Sequence, residues 1–199
     1  MSPPPAMSAL RIVVLGKSLS ETSRVGNFIL GTEAFDTEDP PHSAVQHSFI
    51  VRGRVKNRHI SIINTPHLFH SQLSHEELSQ RIKECVSLCE PGPHAFLLVV
   101  KPQDFTEEDR NRLRYILKSF SDQAIKYCIL IRTEKTFKPL LQRQENEAYH
   151  RLRKEFNERY ILKELLENEE KSVGQLFEKI DKMVKENGGV HLTCEFFED

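Results

Sequence analysis

Long hydrophobic runs are missing from this 199-residue sequence. None approaches the ~20 apolar residues that a membrane-spanning helix needs. The opening MSPPPAMSA has no apolar stretch of the kind that directs secretion, and these nine residues read as a disordered leader. Cysteine is scarce: Cys85, Cys89, Cys128 and Cys194 are too few and too scattered for a disulfide framework. Cys85 and Cys89 stand one helical turn apart, but no second pair has zinc spacing, so they read as ordinary residues of one helix. Free thiols and missing export signals predict a cytoplasmic protein. An excess of charge of one sign is lacking too. The 28 basic and 29 acidic residues leave a formal charge of -1, which argues against a nucleic-acid partner or a membrane surface. Internal repeats are absent, and the length suits a single α/β domain with a full core.

What is present is alternation. Strand-like apolar runs occur at LRIVVLG (10–16), SFIVRGRV (48–55), HISIINT (59–65), AFLLVVK (95–101) and IKYCILIR (125–132). Helical patterns follow. SHEELSQRIKECVSLCE (74–90) puts Leu78, Ile82, Cys85 and Cys89 on one face, and Thr106 caps a helix whose stripe is Leu113, Ile116, Leu117 and Phe120. A charged helix is predicted near 140–157 and another over 171–187, stopped by Asn187-Gly188-Gly189. The 140–157 helix reads either as a solvated face or as a partner-binding one. Only Lys56, Asn57 and Arg58 separate two of the strands, too few for a crossover, so these two form an antiparallel hairpin. The fold class predicted is therefore α/β: a P-loop GTPase-like three-layer sandwich, mainly parallel with one antiparallel edge strand and helices on both faces. In such sheets ligands sit beyond the carboxyl ends of the strands, here the loops after Leu15, Ile63, Val100 and Ile131.

The first of those loops looks like a phosphate-binding loop with residues missing. In G-x-x-x-x-G-K-[ST] counted from Gly16, the second glycine belongs at 21 and the lysine at 22. The sequence has Glu21 and Thr22 there, and only Ser23 fits. A glycine lets the turn close under the phosphates and a lysine neutralises their oxygens. At about 4 Å and an effective dielectric of about 20, one misplaced unit charge amounts to ~4 kcal/mol. Two other readings stand beside this one. Lys17 could swing in as a substitute cation, and Glu21, Thr22 and Ser23 could simply cap the first helix, where an acidic residue suits the dipole.

PGPHAFLLVVKPQDFTEEDRNRLRYILKSF (91–120) resembles the central box of the immunity-associated GTPase family (IMAP or GIMAP, the AIG-type G domain), which reads PGPHA-x-LLV, a short loop, then [FY]-T-x-E-[DE]. VGNFILG (25–31) resembles that family's TGNSILG, and KMVKENGG (182–189) its MVxxNGG ending. The likeness covers about residues 10–195, and the GKS followed by a non-glycine turn is similar to divergent fish members with long multidomain chains. It implies one AIG-type G domain over 10–199 that binds GTP or GDP, with Mg²⁺ arriving only with the nucleotide. The nucleotide positions implied are Gly16, Lys17, Ser18, Leu19, Ser20, Glu21, Thr22 and Ser23, with the Ser23 hydroxyl on the metal. Arg132 and Glu134, in the place of the family's T-[RK]-x-[DE], would cover and read the guanine.

Departures accumulate at the other loops. In INTPHLF (63–69), resembling DTPGLF, Asn64 replaces the magnesium Asp and His67 the γ-phosphate Gly. The segment 35–49 should offer a magnesium-capping Thr, yet Thr37 lies early and Gln46 stands further on. Asp104 occupies the place of an Arg suited to reach a partner's phosphates, and RYILKELLENEE (159–170) has lost the asparagines of the base-closing element. His67, His70 and His75 read as a solvated loop rather than a metal cluster. The expectation is a pseudo-GTPase without catalytic residues, an interaction or oligomerisation module in an immune setting. It would pair with itself or related G domains through the switch-side face. The alternative is a weak GTP or GDP binder with slow or absent hydrolysis, using Ser23, Arg132, Glu134 and Lys17.

Overall fold

The computed structural model describes residues 9–32, 49–65, 68–69, 73–102, 104–132, 147–155, 161–163 and 169–192. In chain order the elements are β1 (Ala9–Gly16), α1 (Leu19–Leu30), β2 (Phe49–Val55), β3 (Arg58–Asn64), α2 (His75–Leu88), β4 (Ala95–Val100) and α3 (Glu107–Phe120). A 3₁₀ turn (Ala124–Tyr127) then leads to β5 (Cys128–Arg132), α4 (Glu147–Glu155), β6 (Ile161–Lys163) and α5 (Glu169–Glu186). The six strands lie in the order β2-β3-β1-β4-β5-β6. β2 runs antiparallel to β3, and every other pair is parallel. This is the predicted mixed sheet with its antiparallel edge.

Burial explains why the runs become strands. All six residues of β4 are buried, as a strand covered on both faces requires. Phe120 of α3 meets Phe96 of β4 edge-on at 4.9 Å, a geometry that suits the quadrupoles of both rings. α2 buries Leu78, Ile82, Cys85 and Val86, and Cys89 follows as a buried cap residue whose thiol donates to Val86 O at 3.3 Å. Ser74 with Glu77, and Thr106 with Asp109, close capping boxes at the starts of α2 and α3. α5 stops as predicted: the Gly189 N–H returns to Val184 O at 2.8 Å, with Gly188 and Gly189 at φ +97 and +81.

Several boundaries differ from expectation. The hairpin turn is two residues, because Arg58 already belongs to β3. Lys56 and Asn57 have φ +50 and +65, the paired left-handed values of a type I′ turn. β5 starts at Cys128 rather than 125, since the preceding residues wind into the 3₁₀ turn. A sixth strand, β6, lies within the stretch read only as a lost base-closing element. Its three residues are too short for periodicity to reveal. Within the predicted 140–157 helix, α4 occupies Glu147–Glu155; the rest lies outside the described residues, as do residues 1–8 of the leader and Cys194. The carboxyl ends of β1, β3, β4 and β5 place Gly16, Asn64, Val100 and Arg132 along one edge of the sheet.

Candidate functional site

The phosphate-loop positions run from 16 to 23, and α1 already begins at Leu19. Ser18 is its N-cap, at φ -109 and ψ 121, and its Oγ accepts the Glu21 N–H at 3.4 Å. The Thr22 N–H donates to Ser18 O at 3.0 Å, and the Thr22 hydroxyl donates to Leu19 O at 3.1 Å. A phosphate cradle is built from backbone N–H groups that point at the anion; here those of Glu21 and Thr22 serve the first helical turn. The sequence cause is Ser18-x-x-Glu21, which has the spacing of a helix start, together with the absence of a second glycine to hold the loop open. The capping side chain is Ser18, and Glu21 stands in the first turn, where an acidic residue suits the dipole as the sequence suggested. Gly16 has a packing reason to be glycine. A Cβ there would lie 2.8 Å from Thr22 Cγ2 and 3.1 Å from Val99 O.

Lys17 does not turn toward residues 19–23. Its Nζ donates to Asp104 O at 2.9 Å, lies 2.9 Å from Asp109 Oδ2 and 3.8 Å from Asp104 Oδ1. Asp109 is buried, and Oδ2 also accepts the Thr106 N–H at 3.0 Å, so the capping box of α3 and the Lys17 clamp share one oxygen. The Asp104 that replaces an Arg by resemblance is thus one of the groups that hold Lys17. The cavity at this edge measures about 50 Å³ and is lined by Gly16, Lys17, Glu21, Phe69, Asp104 and Phe105 among others. Small-molecule pockets run to about 300–1,000 Å³.

The two residues assigned by resemblance to magnesium meet each other instead. Asn64 Nδ2 donates to Ser23 Oγ at 3.1 Å, and both residues are 1% exposed. Asn64 Oδ1 is buried with no hydrogen-bond partner among the described residues. Magnesium favours an octahedral set of oxygens, usually with a carboxylate; this pair is neutral, and its nitrogen points at the hydroxyl.

On the base side, the Arg132 guanidinium lies 5.4 Å from the ring centre of Tyr149, a buried residue of α4, and Arg153 lies 5.9 Å from the same ring. Arg132 is thereby placed against α4. Glu134 lies outside the described residues, as do Thr37, Gln46, His67 and His70. His75 is hydrogen-bonded to Tyr115 at 3.0 Å. Among the described residues no cluster of three or more His, Cys, Asp or Glu could hold a metal ion.

Two clips went unseen in the sequence. The His94 ring accepts the Arg11 N–H on Nδ1 at 3.0 Å, while the His94 N–H donates to Arg11 O at 2.8 Å. Arg11 Nε donates to Gly92 O at 2.7 Å, and burial lowers the Arg11 pKa from its usual value. Gly92 has φ +153, and a Cβ there would fall 1.7 Å from Leu192 O; the Leu192 N–H donates to Pro93 O at 2.9 Å. The PGPH stretch therefore ties β1 to the segment after α5, far from the carboxyl edge. A histidine between Pro-Gly-Pro and an all-apolar strand was the available signal. The second clip joins α3 to α4: Arg110 pairs with Glu107 at 2.6 Å and also with Glu155. The hydrogen bond from Arg110 holds the Glu107 carboxyl below its usual range.

Known proteins resemble this chain in sequence and in fold. A sequence model of the AIG1 family matches residues 10–199. Human GTPase IMAP family member 8 is 30% identical over 191 residues, covering 92% of this chain, which spans only 29% of that relative's length. Immune-associated nucleotide-binding protein 7 of Arabidopsis thaliana is 34% identical over 128 residues, 63% of this chain and 41% of its own. Among solved structures, one of the chloroplast translocon components atToc33 and psToc159, for whose GTPase activity dimerization is important, superimposes with a TM-score of 0.56. Its identity is 18%, covering 93% of this chain and 68% of that one, a likeness of fold.

Proposed function

The chain belongs to the AIG1 family, and from that premise we propose that it is a pseudo-GTPase: a G-domain scaffold for protein interaction in an immune setting. The region 10–199 acts as one domain, cytoplasmic, pairing with itself or with related G domains through the switch-side face. The observation that carries this reading is the phosphate loop wound into α1, with the N–H groups of Glu21 and Thr22 satisfied from Ser18. The Lys17 clamp and the Ser23–Asn64 bond add to it. A guanine nucleotide with Mg²⁺ does not fit these residues. An anion would meet a used-up cradle and an acidic Glu21, and a metal would meet an amide nitrogen.

Pairing has a precedent in the translocon components, for whose GTPase activity dimerization is important; in this chain we place it at the switch-side face. In this chain the same face would keep its assembly role while the nucleotide role lapses, because function resides in sites grafted on folds. No described helix is long and apolar enough to cross a membrane.

Isothermal titration with GTP and GDP, with and without Mg²⁺, tests the nucleotide half. The expected result is no saturable heat, and micromolar Mg²⁺-dependent binding overturns the proposal. Weak binding indifferent to Mg²⁺ would favour the alternative of a residual nucleotide binder. Light scattering during size-exclusion chromatography tests the pairing half. A concentration-dependent dimer is expected, and a strict monomer at high concentration refutes self-pairing.

A further inference from the structure

β2 ends the sheet on its side, and among the described residues nothing pairs with its outer edge. In an antiparallel pair every second residue directs its N–H and C=O away from the partner strand. β2 therefore offers a row of backbone donors and acceptors along Phe49–Val55. The strand is firmly held. Leu30 of α1 packs beneath Gly53, where a Cβ would come within 2.9 Å of Leu30 Cδ2. At the far end of the hairpin, Arg58 makes two hydrogen bonds to Asp181 of α5, at 3.0 and 2.8 Å, and lies 5.6 Å from the Phe177 ring centre.

The side chains of this edge carry one sign. Arg52 and Arg54 are exposed on the same face and have no ion pair among the described residues. His59 lies exposed opposite Arg54 on β3. Residues 40–75 contain no Asp or Glu but four cations, Arg52, Arg54, Lys56 and Arg58, in a chain of net charge -1. Arg58 is neutralised by Asp181; Arg52 and Arg54 are not.

The geometry points to β2 as a docking edge for an extended acidic segment of another protein. That segment adds to the sheet beside β2 and places alternate carboxylates next to Arg52 and Arg54. Backbone pairing supplies affinity in this mode and alternate side chains supply specificity. A second copy of this chain is disfavoured as the occupant, since β2 against β2 brings arginines opposite arginines, and like charges directly opposite destabilise a pair. The edge is separate from the phosphate loop, so the inference holds whether or not a nucleotide binds.

The test uses the full chain, isotopically labelled, with a blocked peptide Thr-Val-Glu-Val-Glu-Val-Thr, and reads amide exchange by nuclear magnetic resonance. Saturable binding that slows exchange of the outward β2 amides is expected. Arg52→Glu with Arg54→Glu should weaken binding about tenfold or more, and the variant should then accept the peptide with Lys in place of Glu. If the double reversal fails to fold, Arg52→Gln with Arg54→Gln carries the test and should also weaken binding. Three results overturn the inference: outward β2 amides already as protected as those of β3 in the free protein, no saturation at millimolar peptide, or equal binding to the reversed variant. Anionic vesicles or an oligonucleotide binding through the same arginines, with the acidic peptide leaving β2 exchange unchanged, also overturn it.

Discussion

Asn64→Asp puts a carboxylate where the family resemblance expects one, at a position that is 1% exposed. Asn64 now donates to Ser23 Oγ. A carboxylate cannot donate, so the Ser23 hydroxyl must rotate and become the donor. One hydrogen bond then replaces the full hydration of an ion. Burial of this kind, with no cation opposite, raises a carboxyl pKa by about 2 units or more. At ~1.4 kcal/mol per unit, the ionised side chain costs about 3 kcal/mol at neutral pH. The sign of the pH dependence follows. The native pKa lies above the unfolded one, so between the two values the native state holds more protons, and stability falls as pH rises through that interval. The penalty is nearly absent near pH ~4 and complete above pH ~7. For a chain of this size a kcal/mol corresponds to roughly 2–4 °C, so the variant should melt about 6–12 °C below the parent at neutral pH.

Thermal melts of both proteins across that pH range, each with and without millimolar Mg²⁺, measure the gap. It should widen from acid to neutral pH and should not respond to the metal. A variant as stable as the parent at neutral pH would refute the reasoning, and so would a melting point raised by Mg²⁺. Either would mean that a cation or water already finds further ligands beside Ser23.

Glu21→Gly with Thr22→Lys restores the letters of the motif, but Thr22 is 2% exposed and packs on Gly16. The double variant should lose about 2–4 kcal/mol in urea unfolding, from the glycine in a helix and from a longer, charged side chain forced into the buried position of Thr22, without gaining GTP binding by titration. Gly92→Ala should cost about 2–4 kcal/mol, because the left-handed φ and the backbone oxygen of Leu192 leave no room. Limited proteolysis should then cut after α5, and an unchanged melting point would refute the clip. Because Arg110 holds the Glu107 carboxyl low, its contribution is present above the unfolded carboxyl range. It is lost as pH falls through the lowered native value. Glu107→Gln should therefore flatten the acid limb of the stability profile, and an unaltered limb would show that the pair contributes nothing.

The sheet was legible because burial on both faces forces near-continuous apolar runs, as in AFLLVV of β4. The helix start at Thr106 was legible because capping is local chemistry. β6 escaped because three residues carry no period. At the site, the missing glycine and lysine were visible as letters, but what replaced them was not. The Lys17–Asp109 pair spans 92 positions, and the Ser23–Asn64 bond spans 41. No local pattern announces a bond between distant positions; only the register of β1 against β3 and β4 brings them together. Ser18-x-x-Glu21 is the exception, a local helix-start signal that falls within the positions of the glycine-loop motif.

The replacements at Glu21, Thr22, Asn64 and Asp104 also explain one another physically. A G-domain edge stripped of its ligand would leave an unpaired ammonium, an unpaired hydroxyl and a row of bare N–H groups. A buried orphan such as the Ser23 hydroxyl costs about 1–3 kcal/mol, and the exposed Lys17 ammonium, still open to water, far less. Here Asp104 and Asp109 take the ammonium of Lys17, Asn64 takes the hydroxyl of Ser23, and Ser18 with the early helix takes the N–H groups of Glu21 and Thr22. Asn64 Oδ1 is the buried atom of this set left without a partner among the described residues. The edge is thus nearly self-satisfied, and a returning nucleotide would have to break these bonds before it could make its own. Single reversions should then lower stability without restoring affinity, because each one orphans a group that its neighbour now supports.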